Sequence, residues 1–499
     1  MNTIVIPRFD SIDKHRIGLR IRQVLLLIIP LLATVAIIWK FLLGVSVPFR
    51  LDYAEGFVFT NTLNALNGQS LYNPIVTDPY IFGFYTPLYN YLGAFFMQIF
   101  GSDITVLRAM TFAFYIGVAA CGAYTVKTIT KSLFPPLMGA LLISSAFIIA
   151  QWSGVARPDM LGLFLTALGI AVVSHPERLN KTRLLITAFI FSLAFFSKQS
   201  FIFAPVALLV FLLMSRPALA WLFAGGYTVL TGLGILFLHI QTDGEFTKQV
   251  FVFAGQVPYS NLSAALRISI ITVISALPLI GIALWRLLKK SKSFITVYLA
   301  CSAFSFFMLL RDGSIQNYLM EFIYALVLLV VISVPWGAVF TSKLRIFIPL
   351  TLVVQLFFVL WSFSAMPSDT AQYLHERRQA FDHEVSIIDQ ASTILAEDPM
   401  VSHAARKPIV IDPYTFGQIN DAHMISSATL FADMQQGRYD FVIDYGAFNR
   451  ISGIQSVINT YFRPVKLIQT AQPVKPFDYS LYNRNTISHI GTIYQFSHQ

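Results

Sequence analysis

The chain has 499 residues, of which 56% are hydrophobic and only 12% charged, with a mean hydropathy of +0.65. A soluble globular protein carries roughly 25% charged residues, so most of this surface does not face water, and 45 phenylalanines would aggregate on a soluble one. In a soluble chain the formal charge of +10 would suggest nucleic acid. No nucleic-acid module is present, however, and Lys and Arg are the residues that collect in cytoplasmic membrane loops.

Apolar runs long enough for a membrane helix predict spans near 23–47, 104–126, 134–152, 159–174, 184–199, 201–214, 218–240, 267–287, 294–310, 315–336 and 346–366, about eleven in all. The first run is too long for a cleavable signal and lacks a small-residue cleavage site. Cys121 and Cys301 both fall inside apolar runs, which excludes a disulfide framework and a cysteine metal site. Basic residues alternate from loop to loop. One set holds Arg8, Lys14, Arg16, Arg20 and Arg22, then Lys127 and Lys131, then Arg178, Lys181 and Arg183, then Arg216, then Arg286, Lys289, Lys290 and Lys292, and lastly Lys343 and Arg345. The positive-inside rule makes this set and the N-terminus cytoplasmic. That orientation requires the aromatic segment 86–101 to lie in the interface without crossing.

From about residue 367 polar and charged residues return. Residues 370–398 read as helical, 408–412 and 439–444 as buried strands, and 421–436 as a helix between them. The predicted fold is therefore an α-helical polytopic membrane protein with a small α/β soluble domain at its C-terminus. Its membrane part covers 1–366, including an outer loop at 48–103 with interfacial helices, and an extracytoplasmic domain covers 367–499.

Charged groups near a bilayer are costly, so each is a functional candidate. After the first span comes Leu51-Asp52-Tyr53-Ala54-Glu55-Gly56. On a helix Asp52 and Glu55 share a face, and two such acids suit a general base or a divalent cation such as magnesium or manganese. The plain alternative is a solvated loop whose acids open a helix. Arg157-Pro158-Asp159 and Lys198 sit at outer helix ends, as a capping ion pair and a snorkelling lysine or as walls of a site. Arg311 marks a third outer end, and Asn317 and Glu321 follow at i, i+4 on one face. All of these map to one level, the outer membrane face. A transporter would place its charges at mid-membrane.

The acidic motif, then Asn67-Gly68-Gln69-Ser70-Leu71-Tyr72, Tyr85-Thr86-Pro87-Leu88, Arg108 and Ala156-Arg157-Pro158-Asp159 resemble, in order and spacing, the C-type (GT-C) membrane glycosyltransferases. That superfamily includes the protein O-mannosyltransferases and the aminoarabinose transferase of lipid A. The resemblance is strongest over about 50–200 and extends to Asn317-Tyr318. It departs from the family where Ala54 precedes Glu55-Gly56, since many members carry two adjacent acids there. The resemblance implies a multi-pass protein of the cell (inner) membrane. It implies a hexosyl- or pentosyltransferase that moves a sugar from a polyprenyl-phosphate donor to a hydroxyl on a lipid, glycan or protein acceptor. Among membrane lipids and without nucleic acid, Asp52 or Glu55 would act as base, with Asp52 preferred. Lys198 or Arg311 would meet the phosphate, and Tyr85, Arg157, Asp159, Asn317 and Glu321 would bind substrate. The resemblance implies no fixed cofactor: some members of the superfamily need a divalent metal and others do not, and here Asp52 and Glu55 would hold one. A lipid-linked sugar flippase or other transporter is the alternative, and a non-catalytic membrane scaffold a third.

Overall fold

In lipid a backbone must satisfy its own polar groups, and a helix does so within one segment. In the computed structural model the apolar runs are mostly helical over their described parts, with 134–152 broken at Ala146 and 294–310 at Ala303-Phe304. The structure describes residues 10–75, 78–130, 132–175, 179–287, 293–336, 347–361, 367–469 and 490–497. Of the basic loop residues used to orient the chain, Arg8, Lys131, Arg178, Lys289, Lys290, Lys292, Lys343 and Arg345 lie outside them. Among the described residues five helices are long and apolar enough to cross a membrane, namely Val24–Gly44, Ile104–Thr130, Pro217–Gln241, Leu262–Leu284 and Gln316–Ser333. Shorter apolar helices, such as Asp159–Val173 and Phe203–Ser215, pack among them.

The first helix shows how such a bundle sorts its side chains. Leu26, Ala33 and Ile37 face the protein core, while Val24, Leu25, Leu31, Leu32 and Val35 stay exposed, the surface that lipid covers. Between Asp159–Val173 and Lys181–Ser197 the helices pack closely because Gly169 has no side chain. A Cβ there would meet the Phe191 ring at 2.3 Å.

The outer loop carries two helices. Glu55–Leu66 ends at Asn67, and Gly68 follows with φ +70, the left-handed conformation that glycine adopts without a Cβ penalty. Leu88–Phe100 has 13 residues, about 20 Å at 1.5 Å per residue, too short for a hydrocarbon core of about 30 Å. It buries Tyr89, Gly93, Ala94 and Met97 and exposes Tyr91, Phe95, Ile99 and Phe100, the two-faced pattern of a helix lying in an interface.

Beyond the helix Pro367–Ile388 the chain forms a four-stranded sheet. Its strands are β1 (Ile394–Ala396), β2 (Phe441–Asp444), β3 (Phe462–Gln469) and β4 (Ile490–Phe496), in the order β1-β2-β4-β3. β1 runs parallel to β2 with Leu395 opposite Val442, and β4 is antiparallel to both β2 and β3. Register slips between Pro464 and Lys466, where proline lacks a ladder N–H.

Two expectations about this region fail. Residues 408–412 do not join the sheet. Ile411 instead bridges Tyr80 of the outer loop, with Tyr80 N–H donating to the Val410 carbonyl at 2.5 Å and Asp412 N–H to the Tyr80 carbonyl at 3.0 Å. The strand ahead of the crossover is β1, inside the stretch expected to be helical. Of the expected helix 421–436 only Ala428–Gln435 forms, and a separate helix, Pro413–Asp421, precedes it.

The pairing at Tyr80 has a packing counterpart. Ile75, Tyr80 and Phe82 of the outer loop enter the same core as Phe416, Leu430 and Val442 of the C-terminal region. On the other sheet face Ile394, Ala396 and Ile443 join the membrane core with Phe49 and Phe59. The C-terminal region thus closes over the outer loop, and the site lies between them.

Candidate active site

Asp52 lies in the turn between the first helix and Glu55–Leu66, and the carboxylate is nearly buried. Its Oδ1 accepts from Ala54 N–H at 3.1 Å and from Arg157 Nη1 at 2.6 Å. Its Oδ2 has no hydrogen-bond partner among the described residues, and Asp52 lines a cleft. The same guanidinium donates from Nη2 to the Tyr85 hydroxyl at 2.8 Å and lies 3.2 Å from Asp159 Oδ2 through Nε. Trp152 stacks under it, with the guanidinium carbon 4.9 Å from the ring centre. A guanidinium has five N–H donors, so donors remain after Asp52 and Tyr85 are served. Burial raises the Tyr85 phenol above its usual range, against the pull of Arg157 and Lys198.

Behind this wall stands a second layer. Asp159, the first residue of its helix, accepts from Lys198 Nζ at 2.5 Å and from Asn317 Nδ2 at 2.7 Å, both on Oδ1. Lys198 is 2% exposed, lies 4.5 Å from the Tyr318 ring centre, and does not line the cleft. The sequence assigned the phosphate to Lys198 or Arg311. The structure instead spends the Lys198 charge on Asp159, which in turn backs Arg157. Asn317 is likewise a buried partner of Asp159.

Glu55 is also a correction. Its carboxylate is fully buried and takes four hydrogen bonds: Arg108 Nε at 3.0 Å and Ala156 N–H at 2.8 Å on Oε1, and Arg108 Nη2 at 2.8 Å and Leu51 N–H at 2.6 Å on Oε2. Arg108 goes on to the carbonyls of Gly44, Val47 and Phe49 at 3.2, 2.6 and 2.8 Å. Glu55 therefore fixes the loop that presents Asp52 and has no oxygen left for a proton or an ion. The pair Asp52 and Glu55 does not fit a metal, and no group of three or more metal-ligating side chains occurs among the described residues. Glu321 is a third correction. Its Oε2 accepts from Ala204 N–H, at the start of Phe203–Ser215, and from Tyr298, each at 3.1 Å, away from the cleft.

The cleft has a volume of about 190 Å³. Asp52, Tyr85, Arg157, Arg311 and Tyr318 line its membrane side. Arg311 donates from Nη2 to the Ala254 carbonyl. Sequence reasoning missed the opposite wall, which the C-terminal region supplies as Asp412, Tyr414, Thr415 and Gln418. Tyr53 spans the two walls, donating to Asp412 Oδ1 at 2.9 Å. Burial raises both the Tyr53 phenol and the Asp412 carboxyl. Asp312 on the rim accepts from Arg450 Nη2 at 2.9 Å and from Gln418 Nε2 at 3.1 Å. Away from the cleft, Arg50 ties the two parts together through Glu397 at 2.9 Å and Asp398 at 3.4 Å.

Residues 85–240, less than half of the chain, match the Dolichyl-phosphate-mannose-protein mannosyltransferase family. No curated protein sequence matches the chain. Among solved structures, ArnT from Cupriavidus metallidurans bound to undecaprenyl phosphate is similar with a TM-score of 0.60 at 12% identity, over 93% of this chain and 97% of that one. The apo form of the same ArnT gives a TM-score of 0.58 at 13% identity, with the same coverage of both chains. At that identity the likeness is one of fold, and it covers 93% of the chain. The chain has the polytopic GT-C-type fold with its appended domain.

Proposed function

We propose that this chain is a membrane glycosyltransferase that moves a sugar from a polyprenyl-phosphate carrier to a hydroxyl acceptor. The observation that carries the reading is the Asp52–Arg157 pair. It places a carboxylate with one open oxygen beside a guanidinium with spare donors, in the lining of the cleft between the outer loop and the C-terminal region. The fold shared with a protein crystallised with undecaprenyl phosphate supports it, as does the family match over 85–240.

The reaction is a direct displacement. Asp52 Oδ2 takes the proton of the acceptor hydroxyl. The acceptor oxygen bonds to the anomeric carbon as the bond from that carbon to the phosphate oxygen breaks, and its electron pair leaves with polyprenyl phosphate. Arg157 meets the charge that grows on the phosphate, as preorganised donors do in other transfers. Tyr85 and Asp159 hold the guanidinium plane, and Lys198 offsets the second carboxylate behind it. No step is routed through a metal, because Glu55 is committed to Arg108. We further propose that the loops forming the cleft and the C-terminal region face outward from the cell membrane, as the basic-loop alternation requires.

The test uses purified full-length protein in lipid with a radiolabelled polyprenyl-phosphate sugar. Release of polyprenyl phosphate on adding acceptor is the expected result. Passage of the intact lipid across the bilayer without cleavage would favour a transporter and overturn the reading.

A further inference from the structure

The wall supplied by the C-terminal region differs in chemistry from the one facing it. The other two acids that line the cleft each hold an arginine: Asp52 holds Arg157 at 2.6 Å and Asp312 holds Arg450 at 2.9 Å. Asp412 holds none among the described residues. It is 8% exposed; its Oδ1 takes the Tyr53 hydroxyl at 2.9 Å and Thr415 N–H at 3.2 Å, and the Thr415 side chain also bonds the carboxylate. Its Oδ2 takes no backbone N–H and no arginine among the described residues, and the residue lines the cleft. A buried carboxylate without a cation is costly unless hydrogen bonds satisfy it. An unfilled acceptor facing a cleft points to a ligand that brings donors.

The surroundings narrow the ligand. The Tyr53 and Tyr414 rings lie 5.8 Å apart at 61°, beside the Asp412 carboxylate. Aromatic faces next to a charged acceptor suit a molecule with apolar C–H faces and several hydroxyls, which describes a sugar ring. The phosphate-binding chemistry lies across the cleft at Arg157, and Tyr53, the residue after Asp52, joins the two walls.

We infer that Asp412, with Tyr53 and Tyr414, forms the subsite for the hydroxyls of a neutral hexose on the donor. The C-terminal region would then read the sugar while the membrane part handles the phosphate. This rests on the donor reading proposed above.

The experiment measures binding to full-length protein in nanodiscs. The probes are bare undecaprenyl phosphate and undecaprenyl-phosphate glucose, mannose and galactose. The native chain is expected to bind at least one hexose carrier more tightly than the bare one. Asp412→Asn keeps the helix cap, since Asn caps as well as Asp. It is expected to weaken that hexose carrier about five- to tenfold, the difference between a charged and a neutral acceptor, and to leave the bare carrier unchanged. Tyr414→Ala, which leaves the cap untouched, is expected to show the same selective loss and serves alone if the first variant does not fold. Equal effects on bare and hexose carriers in a folded variant would overturn the subsite. So would a native chain that gains nothing from any hexose. Failure of the native chain to bind even the bare carrier would overturn the donor reading, and the subsite with it.

Discussion

Arg157 donates to Asp52 at 2.6 Å from a guanidinium that also reaches Tyr85 and Asp159. The carboxylate is thereby fixed through one oxygen and free through the other. Asp52→Asn keeps a carbonyl oxygen for Arg157 and Ala54, so the turn survives, but it removes the proton acceptor. Loss of a general base costs about 10²–10⁴-fold in rate. Initial rates of labelled-donor turnover are expected to fall by that order while donor affinity stays near native. A native rate in this variant would take Asp52 out of the chemistry.

Glu55 predicts a different phenotype. Breaking a buried ion pair by removing one partner costs about 3–5 kcal/mol, and here Arg108 also ties down the carbonyls of Gly44, Val47 and Phe49. Glu55→Gln and Arg108→Met are expected to lower the melting temperature in detergent and the yield of folded protein. Whatever fraction folds should keep much of its turnover. A Glu55→Gln protein of native stability but without activity would return Glu55 to the catalytic role that its spacing from Asp52 suggested.

Asp412 makes stability depend on pH in a stated direction. Burial raises its carboxyl above the ordinary value. Between the ordinary Asp pKa of about 4 and that raised value, the folded state binds more protons than the unfolded one, so stability falls as pH rises through the window. Asp412→Asn removes the ionisation cost. The variant is expected to melt higher than the native chain at neutral pH, and the gap should close below the ordinary carboxylate range. A gap of the same size at both pH values would mean that ionisation of Asp412 is not its source.

Sidedness is testable on the described domain. Ser456 is exposed on the helix Ile454–Tyr461. With Cys121 and Cys301 replaced, Ser456→Cys is expected to react with a membrane-impermeant maleimide in intact cells. Labelling only after lysis would invert the orientation drawn from the basic loops.

Much of the membrane side of the site was legible because charge at the end of an apolar run is costly and conspicuous. Asp52, Arg157, Asp159 and Lys198 all stand out that way. What the sequence could not divide was their labour. Asp52 and Glu55 look alike at three residues' spacing, and only the partner Arg108, 53 positions on, commits one of them to structure. Lys198 looks like a phosphate ligand until Asp159 claims it. The opposite wall was illegible for a related reason. Asp412 meets Tyr53 across 359 positions, and the apolar run before it mimics a sheet strand although its partner is Tyr80.

The last prediction separates charge from geometry at Arg157. Its fork serves Asp52 at 2.6 Å and Tyr85 at 2.8 Å from two different nitrogens while Nε faces Asp159. Arg157→Lys keeps the positive charge but offers one nitrogen on a flexible stem, which cannot span the same partners and still meet a phosphate. One lost hydrogen bond to a charged group costs about 1.5–3 kcal/mol, or roughly tenfold to a hundredfold in binding. Affinity for bare undecaprenyl phosphate is expected to fall by that order. The rate at saturating donor is expected to fall as well, because Asp52 loses the contact that orients its open oxygen. Arg311→Lys is the comparison, since Arg311 lines the same cleft and is tied to the Ala254 carbonyl. Its effect on carrier binding should be smaller. Native binding and turnover in Arg157→Lys, beside a defective Arg311→Lys, would move the phosphate from Arg157 to Arg311 along the same wall of the cleft.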